Sequence, residues 1–185
     1  MMMGSRVALV IGFCLCSTLV QAEGFRLSSP TIAPDAMLTD EQVYNGFGCS
    51  GKNLSPALKW TAGPAATKSY AVTVYDPDAP TGSGWWHWVV YNIPANVTEL
   101  APNAGDAGGQ RLPAGALQGR TDFGTYDFGG ACPPQGDKPH RYIFTVYALK
   151  VDKLDVPTDA SAALIGFMIN GNSLGKASFT AMYGR

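Results

Sequence analysis

Three segments of this chain are apolar on both faces of an extended backbone, which narrows the possible folds more than any other feature. Segment 69–76 alternates Tyr70, Val72, Val74 and Asp76 with Ala71, Thr73 and Tyr75. Segment 85–93 sets His87, Val89, Tyr91 and Ile93 against Trp86, Trp88 and Val90. Segment 140–150 sets His140, Tyr142, Phe144 and Val146 against Ile143, Tyr147 and Leu149. A period of two marks strands. Strands with two apolar faces belong in the middle of a layered structure, covered from both sides. Shorter strands are expected at 25–28 and 57–60. A last strand at 176–183 alternates Ala177, Phe179, Ala181 and Tyr183 with Ser178, Thr180 and Met182. One helix is expected, with Ala160, Ala163, Leu164, Phe167 and Met168 as its apolar stripe. Thr158 or Asp159 would cap its start and Asn170-Gly171 would end it. The expected fold is mostly β, an antiparallel β-sandwich with a peripheral helix.

The 22 glycines and 13 prolines agree with many turns between strands. A chain of 185 residues can be served by one core. Its formal net charge of −1 gives no electrostatic footprint for nucleic acid or an anionic membrane surface. Near the N-terminus, Arg6 flanks an apolar run at 7–20, and Val20-Gln21-Ala22 places small side chains where a signal peptidase cuts. Residues 1–22 therefore read as a signal peptide and 23–185 as the mature domain, exported to the periplasm or secreted. The run is shorter than the roughly 20 apolar residues of a membrane span, so no transmembrane segment is expected after processing. Cys14 and Cys16 would leave with the signal. Cys49 and Cys132 remain, and two cysteines in an oxidising compartment read as one disulfide, worth roughly 2–4 kcal/mol.

The chemistry-bearing residues gather at strand ends. His87 and His140, the chain's two histidines, each stand at or near the start of an aromatic strand. Asp76-Pro77-Asp78-Ala79-Pro80 closes another inner strand, and its prolines stiffen the backbone that presents two acids. Strand ends meeting at one edge would bring Asp76, Asp78, His87 and His140 together. A carboxylate beside an imidazole orients it and favours its charged form, which can bind a phosphate oxygen. Tyr142 shares a face with His140. Gly129-Gly130-Ala131-Cys132 can offer backbone N–H groups to an anion, with Pro133-Pro134 holding the loop open. Trp85, Trp86 and Trp88 read as core residues. Residues 94–139, rich in Gly, Pro, Asn and Asp, read as long surface loops.

These motifs together resemble the phosphatidylethanolamine-binding protein family, most closely its bacterial Raf-kinase-inhibitor-like branch. The carriers are Tyr75-Asp76-Pro77-Asp78-Ala79-Pro80, Trp86-His87-Trp88-Val89-Val90, Gly129-Gly130-Ala131-Cys132-Pro133-Pro134 and His140-Arg141-Tyr142. The resemblance covers nearly all of 24–184. It implies a β-sandwich with a shallow anion pocket at one edge, lined by Asp76, Asp78, Pro80, His87, His140 and Tyr142 with the backbone of Gly130, Ala131, Cys132 and Pro133. It implies a cis peptide before Pro80, aiming Asp78 inward. It also implies small anionic or phosphate-bearing ligands such as phospholipid head groups. Some relatives pair cysteines like Cys49 and Cys132. Ala131 stands where many relatives have proline. An exported protein does not meet a cytosolic kinase, so the branch name is not read as function.

Three other functions are open to residues of these types. Some family members inhibit proteins, and members of this branch pair as homodimers, so modulation of a protein target is the alternative. A hydrolase is disfavoured, because the chain has no Gly-x-Ser-x-Gly elbow and no His-Glu-x-x-His motif. A metal site of two histidines and an aspartate has suitable ligand types but no recognised spacing. No metal or cofactor is expected.

Overall fold

The computed structural model describes residues 24–185. Residues 1–22, read above as a signal peptide, lie outside the described residues, and Cys14 and Cys16 with them. The elements in chain order are β1 Leu27–Ser28, β2 Asn45–Gly46, β3 Cys49–Ser50, β4 Leu58–Trp60, β5 Ser69–Asp76, β6 Trp85–Pro94, β7 Glu99–Leu100, β8 Leu117–Gln118, β9 His140–Leu149, α1 Ala162–Asn172 and β10 Ser173–Tyr183. The three doubly apolar segments become β5, β6 and β9, and they sit inside a five-stranded antiparallel sheet of order β10-β9-β5-β6-β8. One face packs on a three-stranded sheet of order β1-β4-β7, burying Val72, Val74, Trp88 and Phe144 against Leu58, Trp60 and Leu100. The other face is covered by α1 and the segment before it, with Ala71, Val89 and Leu149 against Leu154, Ile165 and Ile169. The molecule is thus the expected sandwich with a helix on its outer side.

The faces of β9 and β10 follow the sequence alternation. Those of β6 do not, because two bulges change its phase. Val74 pairs with Trp88 and Tyr75 with Trp86, which leaves His87 as an extra residue; Tyr70 pairs with Ile93 and Val72 with Val90, which leaves a second one at Tyr91–Asn92. A bulge lets two neighbours on one strand oppose a single residue. His87 and Trp88 therefore both turn toward the inter-sheet side, and Val90 and Ile93 do the same, while Trp86, Val89 and Tyr91 face the helix. Asn92 absorbs its bulge with φ of 59°, and its Oδ1 accepts the Leu154 N–H at 2.7 Å.

The helix also differs in phase. It starts two residues later than expected, capped by Ser161, whose side chain accepts the Leu164 N–H at 3.2 Å. It runs through Asn170-Gly171 to Asn172. Its buried stripe is Ala162, Ile165, Gly166 and Ile169, whereas Leu164 and Phe167 are exposed. Both stripes have helical spacing and both are apolar, so periodicity could not choose between them. No helix among the described residues is long and apolar enough to cross a membrane.

Candidate ligand pocket at the sheet edge

Antiparallel pairing brings the end of β5 beside the starts of β6 and β9, which puts Asp76, His87, His140 and Tyr142 at one edge. All four side chains are buried. Asp76 is saturated. Its Oδ1 accepts the amides of Asp78 at 2.7 Å and Ala79 at 3.1 Å, and its Oδ2 accepts from His140 Nδ1 at 2.8 Å. The first pair closes an Asx turn, so the strand-terminal acid both ends β5 and aims the imidazole. His140 Nε2 stands 3.5 Å from Asp137 Oδ2.

His87 Nδ1 lies 2.7 Å from the carbonyl of Gly129. A carbonyl can only accept, so Nδ1 carries the proton. Burial holds the pKa of this imidazole below its ordinary value, against the pull of the Gly129 carbonyl and of Asp76. The ring is neutral and its Nε2 is an acceptor. Tyr142 packs edge-on to it at 5.1 Å between centroids. The Tyr142 hydroxyl is buried without a hydrogen-bond partner. Burial, and then the nearby Asp76, push its ionisation far up, so it remains a donor.

These groups wall a cavity of about 140 Å³, completed by Phe47, Ala79, Pro80, Thr81, Trp85, Phe123, Cys132, Pro133 and Pro134. Nothing in the sequence marks Phe47, Trp85, Phe123, Ala79, Thr81 or Pro134 as wall residues. Phe123 stacks on Phe47 at 5.9 Å and meets Trp85 and His87 edge-on at 5.4 Å each. Trp85 is therefore a wall residue rather than core, while Trp88 is fully buried as expected. Phe47 precedes Cys49 by two residues, so the disulfide could have pointed to it.

The cysteines are joined, Cys49 to Cys132, with Cα atoms 6.0 Å apart. The bridge ties the hairpin carrying Phe47 to the wall at Cys132 and Pro133. Arg185 makes a second tie. Its Nε donates to the Pro133 carbonyl at 2.7 Å, while Nη1 and Nη2 donate to the carbonyls of Gly48 and Phe47 at 3.2 and 3.3 Å.

Three expectations are corrected. No described peptide is cis, so the bond before Pro80 is trans; the Asx turn of Asp76 shapes that corner instead. Asp78 does not face the cavity. Its carboxylate takes Arg141 in a fork, Nη2 at 2.7 Å and Nε at 2.9 Å, which lowers its pKa from 3.8 to about 2. The glycine loop offers no cluster of N–H groups either. Gly129 N–H donates to the His87 carbonyl, Gly130 N–H to Asn53 Oδ1 at 2.6 Å and Ala131 N–H to the Gln42 carbonyl. Gly130 and Ala131 lie behind the wall; a Cβ on Gly130 would strike the Gln42 carbonyl, and one on Gly129 the Phe123 ring. Small residues are needed here for close packing, not for anion access. Among the described residues no three His, Cys, Asp or Glu side chains converge as metal ligands.

Residues 28–184 match the family model described as phosphatidylethanolamine-binding protein. YbcL of Escherichia coli K12 is 54% identical over 177 residues, covering 96% of each chain. YbhB of the same organism is 50% identical over 158 residues, covering 85% of this chain and 99% of its own. The crystal structure of E. coli YbcL, described as a new member of the mammalian family, superposes with a TM-score of 0.86 at 55% identity, covering 88% of this chain and 99% of that one. The sandwich, the ordered motifs and nearly the whole length are shared, and the chain belongs to the phosphatidylethanolamine-binding protein family.

Proposed function

We propose that this protein is exported and that the edge pocket binds a small phosphate-bearing or other anionic ligand, such as a phospholipid head group. The observation that carries this reading is the Tyr142 hydroxyl, buried without a partner on a ring that packs against His87 in the cavity wall. A buried polar group left unpaired costs about 1–3 kcal/mol, and an oxygen-bearing ligand offsets that cost. The neutral His87 adds an acceptor beside this donor. A singly protonated phosphate monoester, with P–O and P–OH on one atom, meets both. No Lys or Arg lines the cavity, so discrimination rests on hydrogen bonds and on His140. The volume of about 140 Å³ admits a head group and leaves acyl chains outside. Export is supported by the signal-like residues 1–22 and by the Cys49–Cys132 disulfide, which needs an oxidising compartment.

Titration with inorganic phosphate, read on the imidazole resonances of His87 and His140, tests the pocket. Both should move at millimolar ligand. Tyr142→Phe should weaken binding about fivefold or more while leaving the thermal midpoint unchanged or higher, because no protein partner loses a bond. Histidine resonances that stay fixed, or a Tyr142→Phe variant that binds as well as wild type, would overturn the reading.

A further inference from the structure

The hairpin over the cavity turns through two residues. Asn45 pairs with Ser50 and Gly46 with Cys49, so Phe47 and Gly48 form its loop. Both are left-handed, with φ of 52° and 82°. A type I′ hairpin turn requires this, and Asn, Asp or Gly normally fills its first position. Here that position carries a phenyl, for which left-handed backbone is strained. The ring is also 68% exposed, yet it lines the cavity and stacks on Phe123, which meets Trp85 edge-on. Strain and exposure both oppose this placement, so it has to be held from outside the turn. The disulfide fixes the hairpin at Cys49, one residue beyond the turn; Arg185 fixes the turn itself. Tyr183 pairs with His140 at the end of β10, and Gly136 N–H donates to the Arg185 carbonyl, so Arg185 is anchored at the sheet edge that carries the pocket. Its guanidinium donates to the carbonyls of both turn residues and of the wall residue Pro133, without lining the cavity.

We propose that Arg185 is a positioning residue for the ligand. It holds Phe47 in its strained turn, so that Phe47, Phe123 and Trp85 form an aromatic mouth that favours a phosphate monoester carrying a flat apolar group. This deepens the reading of the pocket given above and rests on it. Tyr142 and His87 meet the phosphate whatever it carries; the mouth meets the group on its ester oxygen. No Lys or Arg lines the cavity, so ring contacts supply affinity that charge does not. A mouth fixed before binding has no ring to order when the ligand arrives. Lysine cannot replace the guanidinium, because three carbonyls on two segments suit a planar fork and not a single ammonium.

Methyl phosphate and phenyl phosphate carry the same charge and differ in the group that reaches the mouth. In calorimetric titrations wild type should bind the phenyl compound about tenfold more tightly, the upper scale of one aromatic pair. Nuclear Overhauser contacts should link the ligand ring to Phe47. In Arg185→Lys and in Phe47→Ala the ratio should fall to about twofold, while methyl phosphate affinity changes by less than about twofold. Arg185→Gln serves as a second variant should the lysine variant not fold. A ratio that falls in Phe47→Ala but holds in Arg185→Lys overturns the positioning role. Equal weakening of both ligands in Arg185→Lys overturns it too, since that marks a general loosening of the fold. Equal binding of the two ligands by wild type, with His87 resonances still moving, overturns the aromatic mouth and leaves the inner pocket standing. His87 resonances that stay fixed with both ligands overturn the pocket and the mouth with it.

Discussion

His87 shows how one residue's surroundings set both its role and the protein's response to pH. In an unfolded chain it takes a proton near its ordinary value of 6.5; in the folded protein burial lowers that value. The unfolded state therefore binds more protons than the native state between the two pKa values, and stability falls as pH drops through 6.5 toward the native value. The contribution is complete above 6.5. The sign is the same for Asp78, but its window lies between 3.8 and about 2, where protonation breaks the fork with Arg141. Urea unfolding from pH 7.5 to 5.5 should show a declining midpoint, with a slope no steeper than about 1.4 kcal/mol per pH unit for one proton. His87→Gln should flatten that decline. A variant that declines as steeply as wild type would place the titration elsewhere.

At the scale of elements, α1 makes the clearest prediction. Ile165 is buried against the central sheet with Ala71, Val89 and Ile169, and Phe167 is 73% exposed. Ile165→Ala should cost about 2–4 kcal/mol through lost transfer energy and a cavity. Phe167→Ser should stay within about 0.5 kcal/mol. Chemical denaturation of the two variants orders them, and a larger loss for Phe167 would restore the stripe read from periodicity. The same helix shows where sequence reading stops. Strands β5, β9 and β10 were legible because their alternation is unbroken, and Asp76, His140 and Tyr142 came with them onto one edge. In β6 the same alternation misplaced Trp88, Val89, Val90 and Tyr91 relative to His87 and Ile93, because a bulge inserts a residue without any local mark beyond Asn92. The rim was missed for a related reason. Phe47 and Phe123 lie far apart in sequence, on loops that carry no periodic signal, and long-range ties through the Cys49–Cys132 bridge and Arg185 hold Phe47 over the cavity. Asp78 was legible as part of a motif but not in direction, since its aim depends on where β9 delivers Arg141.

For the whole molecule, the disulfide and Arg185 act on the same joint. The hairpin β2–β3 has only two paired residues per strand and is too small to hold itself, so the bridge and the three guanidinium bonds supply what its ladder lacks. Cys49 and Cys132 are 83 residues apart, and a loop of that length loses much of its freedom in the unfolded chain when closed. Replacing both cysteines by serine should therefore lower stability by roughly 2–4 kcal/mol, measured as a shift in urea midpoint at unchanged pH. The folded cavity should loosen mainly at its rim, because Asp76 and His140 hold each other at the sheet edge and His87 is held by the Gly129 carbonyl, none of them by the bridge. Phosphate binding by the double variant should then persist with moderately weaker affinity, whereas a complete loss of binding would mean that the hairpin, and not the sheet edge, carries the pocket. The sheet supplies donors and acceptors already fixed in place, and the tethered hairpin supplies the aromatic lip that closes over them.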